Sequence, residues 1–125
     1  MLRAVAAISG LYDTVVGALL LFASAWLARA FGVPNASPPI FSDLTAIFLL
    51  SIGVGYYLPF TDPVRYRGYL WVMGPLLKGA GALIFILDYL LRDSPPAFLL
   101  FAASDGTLAL VTLYALLRER DRNQK

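Results

Sequence analysis

Three ionisable residues, Asp13, Lys78 and Asp105, stand inside long apolar stretches of the chain, where charged side chains are rare. Two carboxyls and one ammonium can form ion pairs, bind a polar ligand, or exchange a proton with a substrate. Tyr12 and Ser51 offer hydroxyl groups that could join such a site. The chain has no histidine and no cysteine, which removes the commonest metal ligand, the usual general base and all thiolate chemistry. We therefore take these five residues as the candidate site and expect neither a metal nor a cofactor.

The motifs of well-known enzyme classes are absent. The sequence contains no phosphate-binding loop, no Gly-x-Ser-x-Gly elbow and no dinucleotide fingerprint. The net charge is only +2, and the basic residues are not gathered into a patch, so we expect no nucleic-acid partner. These absences favour a role without catalysis, and they leave open proton-transfer chemistry on a lipid-soluble substrate.

The elements that must position the site are four apolar stretches. Of the 125 residues, 59% are hydrophobic and 14% are charged, whereas a soluble domain is about half apolar and about a quarter charged. A membrane-spanning helix needs about 20 mostly apolar residues. We predict an all-α, multi-pass membrane protein whose single domain, residues 1–125, is an up-down bundle of four spans, at about residues 4–31, 40–58, 69–91 and 97–117.

The charges outside the spans predict an orientation. Basic residues favour the cytoplasmic side of a membrane protein. Placing both termini in the cytoplasm leaves only Arg29 and Arg92 on the outer side. We therefore expect both termini to be cytoplasmic, in the inner membrane of a bacterium. The basic residues on the inner side are then Arg3, Arg65, Arg67, Arg118, Arg120, Arg122 and Lys125.

The three charged residues, hereafter the charged trio, are predicted to lie at similar depth. At 1.5 Å per residue, each is about 12–14 Å from the end of its span, near the middle of a core about 30 Å thick. A lone charge at that depth costs about 3 kcal/mol, so the trio should meet inside the bundle. The tight hairpin of the third and fourth spans favours an ion pair between Lys78 and Asp105. One carboxyl is then in excess, and we expect either Asp13 or Asp105 to hold a proton.

Small residues flank the trio on the predicted helices. Gly10 and Gly17 share a face with Asp13, and Gly74 and Gly81 share a face with Lys78. Such faces permit close packing of membrane helices, and they can also leave a cavity beside the charges. Ser51 and Gly55 form a comparable face on the second span. Pro75 removes one helical hydrogen bond from the third span and should disturb its geometry.

The layout resembles small four-helix bacterial membrane proteins that are broadly DoxX-like. The resemblance rests on the basic and aromatic loop Arg65–Trp71, on the intramembrane Lys78, and on Asp105 after a Pro-Pro loop. It implies a compact four-helix bundle and little about activity.

Three functions remain open from the sequence. The first is an accessory subunit that contacts lipids or another hydrophobic molecule, with the trio holding the helices together. The second is a small proton-coupled transporter acting as a homodimer, since a carboxylate in the first of four spans resembles small multidrug-resistance transporters. The third is a membrane isomerase or cyclase for a hydrophobic substrate. The expected partners are membrane lipids and either a larger membrane complex or further copies of the chain.

Overall fold

A computed structural model describes residues 1–124, and every regular element within them is helical. The prediction of an all-α chain is therefore confirmed. A π-helical turn, Val72–Leu76, joins the fifth and sixth helices, and a 3-10 turn, Pro96–Phe98, leads into the seventh. The α-helices are α1 (Leu2–Phe22), α2 (Ser24–Phe31), α3 (Ile40–Gly55), α4 (Tyr57–Thr61), α5 (Arg67–Trp71), α6 (Leu77–Arg92) and α7 (Leu99–Gln124).

Four continuous helical runs are long and apolar enough to cross a membrane, as the sequence predicts. They are Leu2–Phe22, Ile40–Thr61, Arg67–Arg92 and Pro96–Gln124. Their outer surfaces are apolar: the side chain of Phe22, for example, is 82% exposed. Apolar exposure on this scale suits a lipid environment better than water.

The first span is shorter than predicted. The helix breaks at Ala23, whose backbone angles (φ −134°, ψ 35°) are not helical, and α2 follows as a separate helix. No residue of α2 is fully buried, and the helix ends at Gly32, whose φ of 67° favours glycine. The segment Ser24–Phe31 is therefore a separate helix and does not continue α1 without interruption.

The third span contains the disturbance predicted at Pro75. Proline has no backbone N–H to donate, and here the chain forms a π-helical turn around it. A π turn holds one residue more than an α turn, so it rotates the faces of the following helix by about 100° relative to an unbroken α-helix. This rotation decides which way the side chains of α6 point.

Glycines bring α1 and α3 into close contact. A Cβ atom added at Gly53 would lie 2.6 Å from the backbone nitrogen of Thr14, and one added at Gly17 would lie 2.9 Å from the backbone nitrogen of Leu50. Here the close-packing interpretation of the small residues is confirmed. In the other half of the bundle, α6 packs against α7, and a Cβ at Gly74 would lie 2.6 Å from Cγ2 of Thr112.

The helices form two hairpins, α1–α4 and α5–α7. The hairpins join most tightly at one end, here called the basic end because it carries Arg3 and Arg67. The guanidinium of Arg67 donates to the carbonyl oxygen of Leu116 at 2.6 Å, and that of Arg3 donates to the carbonyl of Thr61 at 3.2 Å. Toward the opposite end α3 rests on α1 and makes no extensive contact with α6 or α7. Toward that end the two hairpins meet through α2, whose Phe31 contacts Phe98 and Phe101 of the fourth span. The core of the basic end consists of Leu2, Val5, Ala6, Tyr56, Leu70, Ala115 and Leu116.

Candidate functional site

The ammonium of Lys78 forms a buried ion pair with Asp13. Its Nζ lies 2.6 Å from Oδ1 of Asp13, and the two side chains are 4% and 2% exposed. The pair joins α1 to α6 and therefore links the two hairpins. The predicted meeting of charges inside the bundle is confirmed for these two residues.

The predicted partner of Lys78 is wrong. Asp105 has no ion-pair partner among residues 1–124. Its Oδ2 atom lies 3.7 Å from the position of a Cβ at Gly81, about one turn along α6 from Lys78. The lysine side chain reaches Asp13 on α1 and not Asp105 on α7.

Tyr12 lies between the ion pair and Asp105. Its ring centroid is 5.3 Å from Nζ of Lys78, a distance at which a cation is attracted to an aromatic face. Its hydroxyl forms a 2.5 Å hydrogen bond with Oγ of Ser104 on α7. Tyr12 is among the residues selected from the sequence, whereas Ser104 was not selected, although its position next to Asp105 was a usable signal. Lys78, Tyr12 and Ser104 thus connect α6, α1 and α7 through polar contacts.

Three buried oxygen atoms near the pair have no hydrogen-bond partner within residues 1–124. They are Oδ2 of Asp13, Oγ of Ser9 and the hydroxyl oxygen of Tyr56. Ser9 precedes Asp13 by one helical turn and shares its face, whereas Tyr56 follows α3. A buried polar group without a partner costs about 1–3 kcal/mol, so this part of the interior is destabilising by itself. Sequence reasoning missed both Ser9 and Tyr56.

Ser51 lies outside this buried group. Its side chain is exposed on α3, because the buried face of that helix runs through Ala46 and Gly53. Gly55, predicted to share a small-residue face with Ser51, packs against the ring of Tyr69. The choice of Ser51 as a neighbour of the trio was therefore wrong, because Ser51 lies on a different face of α3 from Ala46 and Gly53.

A cavity of about 430 Å³ lies between the hairpins, toward the end opposite the basic end. α1, α2 and α3 form one side of it, and α6 and α7 form the other. Its wall is mostly apolar, and Tyr12 and Asp105 belong to it, so the cavity reaches the charged trio through one carboxyl and one phenol. The remaining polar side chains of the wall are Ser24, Ser42 and Thr45.

Four phenylalanines form a connected group in the cavity wall, hereafter the phenylalanine box. Phe31 lies 5.1 Å from Phe101 and 6.0 Å from Phe98, measured between ring centroids. Phe85 lies 5.5 Å from Phe101 and 6.4 Å from Phe98. The box joins α2, α6 and the start of the fourth span, so the cavity depends on the separate course of α2 after Ala23.

The site therefore has two chemically different parts. The pair between Asp13 and Lys78 is buried, and its two charges cancel. Asp105 is half-buried, has no ion-pair partner within the described residues 1–124, and faces an apolar chamber of ligand size. No family model, curated protein or solved structure matches the chain, and the resemblance to DoxX-like proteins stays a prediction.

Proposed function

We propose that this chain is a multi-pass membrane protein that binds a hydrophobic molecule taken from the bilayer. The observation that carries the proposal is the cavity of about 430 Å³, which is lined by the phenylalanine box and contacted by Asp105 and Tyr12. Small-molecule sites are typically apolar chambers of about 300–1,000 Å³ that contain a few convergent polar groups. Both the size and the composition of this cavity fit that description.

The proposed location is the inner membrane of a bacterium, with both termini in the cytoplasm. The contacts of Arg3 with Thr61 and of Arg67 with Leu116 support this orientation, because they place two basic residues from distant parts of the chain at one end of the bundle. Lys125, which the sequence argument also counts on this side, lies outside the described residues. In this orientation the cavity belongs to the outer half of the bilayer.

A route into the cavity from the lipid is also supported. Ser42, Thr45 and Leu49 of α3 and Phe85 of α6 belong to the cavity wall, yet α3 makes no extensive contact with α6. A hydrophobic molecule could therefore enter sideways between these helices without passing through water. Membrane lipids are accordingly the first proposed partners, and a larger complex or a second copy of the chain remains a further proposal.

The two alternative functions now depend on different residues than the sequence suggested. Asp13 is fully buried and held by Lys78, so a proton-coupled transporter would have to use Asp105 as its accessible carboxyl. An isomerase or cyclase would use Asp105 and Tyr12 on a substrate bound in the same cavity. Both alternatives require binding in the cavity first, which makes occupancy the property to test.

Filling the cavity tests the proposal. Ala28 belongs to the cavity wall, whereas Ala30, two residues further along α2, is exposed and outside it. We would extract the protein, Ala28→Trp and Ala30→Trp directly from the membrane into lipid nanodiscs and measure bound small molecules by native mass spectrometry. We expect the protein and Ala30→Trp to carry the same adduct and Ala28→Trp to lose it. An adduct retained at the same level by Ala28→Trp, or no adduct in any of the three, would contradict the proposal.

A further inference from the structure

We propose that the cavity takes a lipophilic cation, an amphipathic molecule whose positive group lies beside Asp105 and whose apolar part lies in the phenylalanine box. This inference rests on the proposed function and adds to it the chemical class of the ligand. It follows from the charge balance of the trio, from the aromatic wall, and from the position of Asp105 in that wall.

The charge balance isolates Asp105. The charged groups that act on its carboxyl are Lys78 of α6 and Asp13 of α1, and these two are bound to each other at 2.6 Å. Their charges cancel as a unit. Tyr12 of α1, which also faces Asp105, is neutral. The ionised trio therefore has a net charge of −1, located on the one member that borders the cavity.

An apolar surrounding does not tolerate that charge by itself. A carboxylate at membrane depth must either take up a proton or be compensated by a cation. The protein supplies no second cation for Asp105 among residues 1–124. A cation delivered by the ligand would compensate the carboxylate and take the place of the proton.

The wall of the cavity suits the same kind of molecule. Aromatic faces attract cations and also accept apolar groups, with the strongest effect where water is excluded. The phenylalanine box offers four such rings, and the centroids of its four contacting ring pairs are 5.1–6.4 Å apart. An ammonium group carrying methyl or alkyl substituents satisfies both features, because its charge is spread over an apolar surface. A strongly hydrated ion such as potassium supplies the positive charge but no apolar surface for the aromatic wall.

The exchange of cation for proton predicts a direction of pH dependence. Before binding, Asp105 holds a proton; after binding, the ligand cation faces the ionised carboxylate and the proton has left to the solvent. Binding of the cation should therefore tighten as the pH rises and should release up to one proton per ligand. A neutral ligand of the same shape requires no such release.

The matched probes are benzyltrimethylammonium and its neutral isostere neopentylbenzene, in which a carbon atom replaces the nitrogen. We would measure their binding to the protein in lipid nanodiscs by calorimetry at pH 6 and pH 8, subtracting the partition into empty nanodiscs. The variant is Asp105→Asn, which keeps the shape of the side chain. The control is Asp88→Asn, which removes a carboxylate whose nearest cation is the exposed Arg92 at 3.4 Å, outside the cavity. Thermal unfolding of each variant would verify that it is folded.

We expect the cation to bind at least about tenfold more tightly than its isostere at pH 8. We also expect Asp105→Asn to remove this preference and the proton release, while Asp88→Asn keeps both. Equal binding of the two probes, or a cation preference that survives in Asp105→Asn, would overturn the inference. A cavity that binds only the neutral probe would overturn the ligand class and leave the proposed function standing. If neither probe binds and Ala28→Trp keeps its adducts unchanged, both the ligand class and the proposed function would be overturned.

Discussion

The pair between Lys78 and Asp13 should behave as a unit when it is mutated. Replacing lysine by methionine keeps an unbranched side chain of nearly the same length and leaves Asp13 buried without a cation. Removing one partner of a buried ion pair costs about 3–5 kcal/mol, because the other charge is left uncompensated. With side-chain exposures of 4% and 2%, this pair belongs to that class. We expect Lys78→Met to lower the free energy of unfolding by about 3–5 kcal/mol.

Removing the carboxylate of the pair should lower the free energy of unfolding by less than removing the ammonium. In Asp13→Leu the ammonium of Lys78 keeps a second carboxyl in its surroundings, that of Asp105, so we expect a loss near the lower end of that range. The double variant Asp13→Leu/Lys78→Met leaves no buried charge from the pair, and its stability should return to within about 1–2 kcal/mol of the parent. Unfolding in mixed micelles, followed by circular dichroism during a titration with denaturing detergent, measures all three.

An ordinary polar contact between membrane helices gives a different result. Such contacts contribute about 1 kcal/mol or less. Single variants that each cost about 1 kcal/mol, together with a double variant that loses their sum, would refute the treatment of this pair as a charge-compensated unit.

Two further changes test the packing around the site. Gly53→Ala would place a Cβ 2.6 Å from the backbone nitrogen of Thr14, so we expect a loss of about 2–3 kcal/mol in the same unfolding assay. Gly79→Ala is its control, because the nearest atom is 4.0 Å away and alanine favours the helix; a similar loss there would show that the α1–α3 contact is not special. Tyr12→Phe removes the 2.5 Å bond to Ser104 and should cost about 0.5–1 kcal/mol, since Ser104 still donates to backbone carbonyls of its own helix. A loss above about 2 kcal/mol would indicate that the phenol has a further essential partner.

The number of long apolar helical runs, four, was predictable because it depends on the length of apolar stretches, a property of the sequence alone. The break at Ala23 was not predictable, since neither proline nor glycine occurs there and the mostly apolar stretch continues beyond Ser24 to Phe31. This break turns α2 aside and allows Phe31 to meet the phenylalanines of the other hairpin. The cavity thus depends on a feature that has no local signal.

In the candidate site, the depth of each residue along its span was predictable, but the direction in which its side chain points was not. Counting residues placed Asp13 and Lys78 at one depth, and the structure joins them. Counting does not give the direction in which each helix faces its neighbours. A π turn at Pro75 precedes Lys78 on the third span, and the lysine side chain faces Asp13 of α1 and not Asp105 of α7. The choice of Ser51 failed similarly, because α3 turns Gly53 toward α1.

The most direct test of the central claim, that the cavity holds a specific hydrophobic molecule, is photocrosslinking in living cells. A benzophenone amino acid would replace Phe31, which lies in the cavity wall, and separately Phe41, which is 68% exposed outside it. Mass spectrometry of the purified protein would then give the masses of the attached molecules. Our account predicts one dominant adduct at position 31 that differs from the mixture of bulk lipids attached at position 41. The same bulk-lipid mixture at both positions would contradict it.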